Sequence, residues 1–243
     1  MTETTPVRVE DRGAVRVVTL DRPEVLNAFD SHLYRAAAAA LEAARQDDGV
    51  HVLVLTGAGR AFSAGQDLKE MARVAAGEPI ESGFPVFLDA LGAFDKPLLA
   101  AVNGVAVGIG FTLLAHCDLV LAAEEARFRV PFSEMGVPPE AASSVLFPER
   151  MGWQRAAHLL FTSAWLTAAE AVEHDIVLRV VPGERLLEET LALAERVAAA
   201  SLPALRAIKA TMLAARQPAV AAAREREDAA YAEVLGFSAR SHG

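Results

Sequence analysis

The feature that most constrains this chain occurs twice: a short, unbroken apolar run followed at once by a glycine-containing loop. Val50 to Thr56 runs into Gly57 to Asp67, and Leu98 to Val102 runs into Gly104 to Gly110. Such runs suit strands covered on both faces of a parallel sheet, where neither face meets water. Parallel strands need crossovers, usually helical, and helical patterns do follow. An alanine-rich helix is expected from a cap at Asp30 or Ser31 to about Gln46. Others are expected from Asp67 until a fade near Gly77-Glu78-Pro79, over Phe84 to Phe94, and from Ile109 to about His116.

Val7 to Glu10 and Ala14 to Leu20, broken by Asp11-Arg12-Gly13, predict an N-terminal hairpin. Asp118 to Ala123 and Val177 to Val181 predict further strands, and Leu186 to Ala200, Pro203 to Ala215 and Val220 to Leu235 predict amphipathic helices. This order implies stacked parallel β-α units. The expectation is an α/β region over residues 1–162, then a C-terminal helical region over residues 163–243.

Composition narrows the function classes. With 53% hydrophobic residues in 243 and a mean hydropathy of +0.26, the chain can bury a large core. Its richest stretch, Pro97 to Ala115, is interrupted by Asn103, Gly104, Gly108 and Gly110. No apolar run reaches the ~18 residues of a membrane span, so no membrane partner is expected. The net charge of -9 offers no basic stripe for nucleic acid. Met1 to Val7 lacks a signal-peptide pattern. A lone cysteine, Cys117, fits a reducing compartment, so a cytoplasmic location is expected.

Both glycine loops lead into helices, whose first N–H groups are unpaired and carry partial positive charge. Two such groups converging on one point make an oxyanion hole. Glycine spacing alone favours an ordinary strand-to-helix turn in both places. Gly108 and Gly110 begin a dinucleotide G-x-G-x-x-G, but Leu113 stands at the third glycine, so that reading fails. The histidines His32, His51, His116, His158, His174 and His242 form no i, i+4 pair, so no metal site is expected and each reads as a surface or helix-face residue. No G-x-S-x-G serine elbow occurs.

The motifs become specific when read together. Ala61-Phe62-Ser63-Ala64-Gly65-Gln66-Asp67-Leu68, Lys96-Pro97, Ala101-Val102-Asn103-Gly104-Val105-Ala106-Val107-Gly108, Cys117-Asp118, Ala126-Arg127-Phe128 and Leu166 to Ala171 occur in that order. The set resembles the enoyl-CoA hydratase/isomerase (crotonase) superfamily over about Val15 to Ala215. That resemblance implies a spiral of β-β-α units, assembly as a homotrimer or dimer of trimers, and an acyl-CoA thioester as substrate, with no separate cofactor. It implies that the backbone N–H groups of Gln66 and Ile109, after Gly65 and Gly108, hold the thioester oxygen. It also implies that main chain around Leu26, Ala28, Ala64, Gly65, Asp67 and Leu68 holds the CoA moiety. Family members commonly continue beyond Ser241-His242-Gly243 with a further helix and basic tail, so some CoA phosphate contacts are expected to be missing.

Hydratases of the family use two glutamates; here their places hold Thr112 and Phe132. Neither side chain can do acid-base work at neutral pH. The segment Pro131 to Ser144, then Phe147-Pro148, is instead similar to peroxisomal-type 3,2-enoyl-CoA isomerases, in which the glutamate matching Glu140 is the base. Enclosure by Phe132, Val137, Pro138 and Pro139 is expected to raise its pKa. Read without the resemblance, Glu140 is a solvated cap for a helix starting at Ala141. Glu134 is the spare acid, and Glu149 reads as a surface residue. Arg22 and Lys69 are candidates for CoA phosphates, and Met71, Phe84, Phe87, Leu88 and Phe111 for an acyl pocket. The alternatives are an enoyl-CoA hydratase, an acyl-CoA dehalogenase and a non-catalytic acyl-CoA-binding protein.

Overall fold

The structure is a computed structural model that describes residues 5–234. An N-terminal hairpin pairs β1 (Val7–Arg12) with β2 (Val15–Leu20), Arg12 opposite Val15. β1 runs through the expected break because Asp11 faces Arg16 across the ladder and accepts two bonds from its guanidinium at 2.7 and 2.8 Å. β2 then lies parallel to β3 (Val52–Gly57), followed by β5 (Leu98–Val102), β7 (Leu119–Ala123) and β10 (Arg179–Val181). These form one six-stranded sheet in the order β1-β2-β3-β5-β7-β10.

Strand alternation divides the core between the two faces of this sheet. Val17, Val52, Val54, Leu99, Ala101 and Leu121 face one way and pack with Leu186, Leu191, Ala194 and Ala198 of α9 (Leu186–Ala198). Val18, Leu53, Leu55, Leu98, Ala100 and Val120 face the other way, into the larger cluster that includes α1 (Ser31–Gln46) and α3 (Phe84–Ala93). Burial on both faces is the reason these strands read as unbroken apolar runs. Asp30 caps α1, its carboxylate accepting from Leu33 N–H at 2.7 Å.

A second sheet of four short strands was not expected: β4 (Ala61–Ser63), β6 (Val105–Val107), β8 (Arg127–Arg129) and β9 (Leu166–Thr167), in the order β4-β6-β8-β9. The first three are parallel, and each follows a strand of the main sheet. Helices then succeed them: α2 (Leu68–Ala75) and α3 after β4, α4 (Ile109–Thr112) after β6, and α5 (Phe132–Met135) after β8. The β-β-α repeat is therefore present three times. α4 is shorter than expected, tightening to a 3-10 turn over Leu113–His116 because the chain must reach β7 within a few residues.

Beyond them lie α6 (Ser143–Met151), α7 (Trp153–Thr162), α8 (Ala168–Glu173), α10 (Leu202–Ala214) and α11 (Gln217–Val234). The largely helical region from residue 163 also supplies β9, which was not expected, and β10, which falls within the strand expected over Val177 to Val181; each joins one of the two sheets. The expected helix end at Leu235 and the final residues lie outside the described residues.

Candidate active site

The second sheet brings the two glycine loops face to face. Ala64 N–H donates to Leu26 carbonyl at 2.9 Å, Phe29 N–H to Gly65 carbonyl at 2.7 Å, and Asp67 N–H to Phe29 carbonyl at 2.8 Å. Asn27, fully buried, stitches the same segment down through Ala58 and Ala61 carbonyls at 2.9 and 2.8 Å. Gly65 sits at φ 91, and a Cβ there would come within 2.7 Å of Val107 carbonyl oxygen, so only glycine fits. Opposite it, Gly108 at φ 51 opens α4. The amides that follow, Gln66 and Ile109, have no hydrogen-bond partner among the described residues. Tyr34 hydroxyl donates to Gln66 Oε1 at 2.7 Å and turns that side chain aside.

These loops border a cavity of about 900 Å³ that also contains Glu140. One wall is apolar, with Leu68, Met71 and Val74 of α2, Phe84 and Leu88 of α3, and Phe132 of α5. A polar wall comes from α11: Arg224, Glu227, Asp228 and Tyr231. A smaller hollow of about 200 Å³, beside Asp118 and Arg150, meets neither glycine loop.

Glu140 is half-buried within this cavity. Its pKa is pushed up to about 8, first by desolvation and then by the negative charge of Glu227. Thr112 hydroxyl acts weakly the other way. It is near enough to be felt, yet fully buried and not aligned in a formed bond.

The backbone after Glu140 is unusual. Ala141 and Ala142 both adopt left-handed conformation, φ 56 and 57, before α6 starts at Ser143. For residues with a Cβ this costs roughly 1–2 kcal/mol each. The turn is clamped from two sides. His116 Nε2 bonds Ala141 carbonyl at 2.8 Å, and Glu227 accepts from Ala142 N–H at 2.7 Å and Ser144 N–H at 3.0 Å. Glu227, arriving from α11, thus caps α6, and Glu140 is left to face the cavity.

Comparison with known proteins bears on the same features. The sequence profile of the enoyl-CoA hydratase/isomerase family matches residues 10–238. The chain belongs to the enoyl-CoA hydratase/isomerase family. A probable enoyl-CoA hydratase of Rhizobium meliloti is 40% identical over 202 residues, 81% of this chain and 76% of the relative. Enoyl-CoA delta isomerase 2 of Rattus norvegicus is 40% identical over 185 residues, 74% of this chain and 47% of the relative. The crystal structure of an enoyl-CoA hydratase/isomerase from Pseudoalteromonas atlantica superposes with a TM-score of 0.90 at 36% identity, covering 96% of this chain and 92% of that one. The fold is that of the family, and its members act on acyl-CoA thioesters.

Against this family frame, the residues singled out in the sequence separate into groups. Ala64, Gly65, Gln66, Leu68, Gly108, Ile109 and Glu140 all line the cavity, as do Met71, Phe84 and Leu88. Leu26, Ala28 and Asp67 lie outside the lining: Leu26 carbonyl accepts from Ala64 N–H, Asp67 N–H donates to Phe29 carbonyl, and Ala28 carbonyl accepts from Arg22. Arg22 is spent within the fold, 3.0 Å from Asp30, 3.2 Å from Asp67 and 2.6 Å from Ala28 carbonyl. Asp67 in turn caps α2. Lys69 is exposed on α2, outside the lining.

Phe87 and Phe111 belong to the core, stacked against Phe29 and against Phe128 and Phe147 respectively. Glu134 is exposed and paired with Arg129, and Glu149 is exposed. Phe132 and Val137 border the cavity with Glu140, whereas Pro138 and Pro139 do not. His116, expected as a surface or helix-face residue, ends the 3-10 turn and is largely enclosed, and burial lowers its pKa to about 4, so it holds Ala141 as a neutral ring. Glu227 and Tyr231 were not singled out in the sequence: Glu227 sits in Arg224-Glu225-Arg226-Glu227-Asp228, a run that reads as a solvated helix face.

Proposed function

We infer that the chain moves the double bond of a 3-enoyl-CoA to the 2-enoyl position. Glu140 carboxylate removes a proton from the α-carbon, leaving a dienolate with its charge on the thioester oxygen. The N–H groups of Gln66 and Ile109 stabilise that oxygen, an effect worth about 10² to 10³ in rate per donor. Protonated Glu140 returns the proton to the γ-carbon, so the step is redox-neutral and balanced within the substrate, of which CoA is a part.

The observation that carries this reading is the Glu140 carboxylate, its pKa raised to about 8, in the cavity bordered by the two unpaired amides. A base matched to the working pH transfers protons in both directions efficiently. The relatives include both a hydratase and an isomerase by name. Hydration gains some support from Glu227, a second carboxylate in the same cavity. Both of its oxygens, however, already accept backbone amides, which leaves it poorly placed to hold a water.

Turnover of 3-hexenoyl-CoA, run beside hydration of crotonyl-CoA and with Glu140→Gln as control, tests the assignment. Isomerisation that disappears in the variant supports it, and hydration without isomerisation overturns it. Self-association into trimers or paired trimers is part of the same proposal, supported by Trp153 and Phe161, 73% and 75% exposed on α7. Sedimentation equilibrium at micromolar concentration checks it, and a monomer throughout would refute it.

A further inference from the structure

We propose that Glu227 is a positioning residue for Glu140: by binding Ala142 N–H and Ser144 N–H it holds the left-handed turn that directs Glu140 into the cavity, and it places a second carboxylate close to that of Glu140. The inference rests on Glu140 being the proton-transfer group. Its geometric basis is the pair of bonds at 2.7 and 3.0 Å, made across 85 and 83 residues of sequence, to a turn whose two alanines are strained. Strained backbone of this kind persists only where surrounding structure over-determines it. The Glu227 residue is only 5% exposed, yet its carboxylate borders the cavity. An unpaired helix start could have been capped by any local Ser, Thr or Asp. Here the cap comes from the element that also forms the cavity's polar wall.

Other charges and titratable groups face this pair. From α11, Tyr231 and Asp228 border the same cavity, and Arg224 is committed to Asp89 at 2.9 Å. From α1, Tyr34 faces Glu140 and is bonded to Gln66, and from α2, Glu70 is occupied by Ser31 N–H at 2.9 Å and its hydroxyl at 2.8 Å. His116 is neutral and bonded to Ala141, with Arg150 and Arg216 behind it. Arg224 is thus the cation of the polar wall, and its charge is balanced by Asp89. Burial and Glu227 both favour the protonated form of Glu140, in that order.

The test compares wild type, Glu227→Gln and Glu227→Asp by the pH dependence of kcat/KM. Glu227→Gln removes the charge and can accept only one amide. Its acid limb is expected to move down by about one pH unit, with kcat reduced about 10- to 100-fold by misplacement of Glu140. Glu227→Asp keeps the charge but is too short for both amides, so kcat falls while the limb stays. A purely structural role for Glu227 predicts less folded protein with an unmoved limb in what folds. That result, or profiles superimposable on wild type, overturns the proposal. If Glu227→Gln does not fold, Ala142→Gly in the same chain relieves the turn strain and permits the measurement. Infrared difference titration of the Glu140 carboxyl, wild type against Glu140→Gln and without substrate, separates the two readings. A chain that isomerises nothing sinks the proposed function, while a carboxyl titration unchanged by Glu227→Gln sinks this inference.

Discussion

Gly65 and Val107 meet backbone to backbone: a Cβ on Gly65 would lie 2.7 Å from the Val107 carbonyl oxygen. This contact fixes how closely the two loops approach, and so where the amides of Gln66 and Ile109 point. Gly65→Ala must spread the loops and also occupy φ 91. Its kcat is expected to fall about 10²- to 10³-fold, the cost of losing one oxyanion donor. Stability should fall by about 2 kcal/mol. Steady-state kinetics and a thermal melt measure the two effects. Near wild-type kcat would show that the loops do not depend on this contact.

In the proposed reaction Glu140, with its pKa raised to about 8, must be ionised to accept the α-proton. The kcat/KM of isomerisation should therefore rise with pH and level off above an acid limb near 8, with about a tenth of the maximum at pH 7. Glu140→Gln should lower turnover by about 10²- to 10⁴-fold across the range. A limb near 4.5 would mean that the cavity is wetter than this geometry implies.

The same shift carries a stability consequence of definite sign. Glu140 titrates at about 8 in the folded chain but from 4.5 as its ordinary value. Between these values the folded state holds a proton that the unfolded state lacks, so the contribution is full below pH 4.5 and is lost as pH rises through 8. Glu140→Gln removes that dependence. Wild type and variant should melt alike at pH 5. At pH 8.5 the variant should be the more stable by on the order of 2–4 kcal/mol, or ~5–10 °C. Parallel melting curves at both pH values would contradict the buried ionisation.

Arg22 ties Asp30, the cap of α1, to Asp67, the cap of α2. Arg22→Ala leaves two partly buried carboxylates without their cation and should cost on the order of 2 kcal/mol, or ~4–8 °C in Tm. The Kd for CoA, measured by calorimetry, should change less than about threefold. A large loss of CoA affinity with an unchanged Tm would return Arg22 to the phosphate role.

Which of these features could be read from the sequence depended on how far the stabilising partners lie along the chain. The main-sheet strands were legible because burial on both faces leaves an unbroken apolar run, as in Leu98 to Val102. The Asp30 cap was legible because its partner, Leu33 N–H, is three residues away. The loop glycines and Glu140 were legible as local motifs. Tertiary structure decided the rest. β4, β6 and β8 are three residues each, too short for any periodicity, and exist because neighbours pair with them laterally. Arg22 was diverted from a phosphate role by Asp67, 45 residues on. Glu227, one acid in a charged run, became a buried cap only because α11 folds across the cavity. Burial and charge proximity are properties of packing, so the pKa of Glu140 belongs to the folded chain, although the choice of glutamate at position 140 belongs to the sequence.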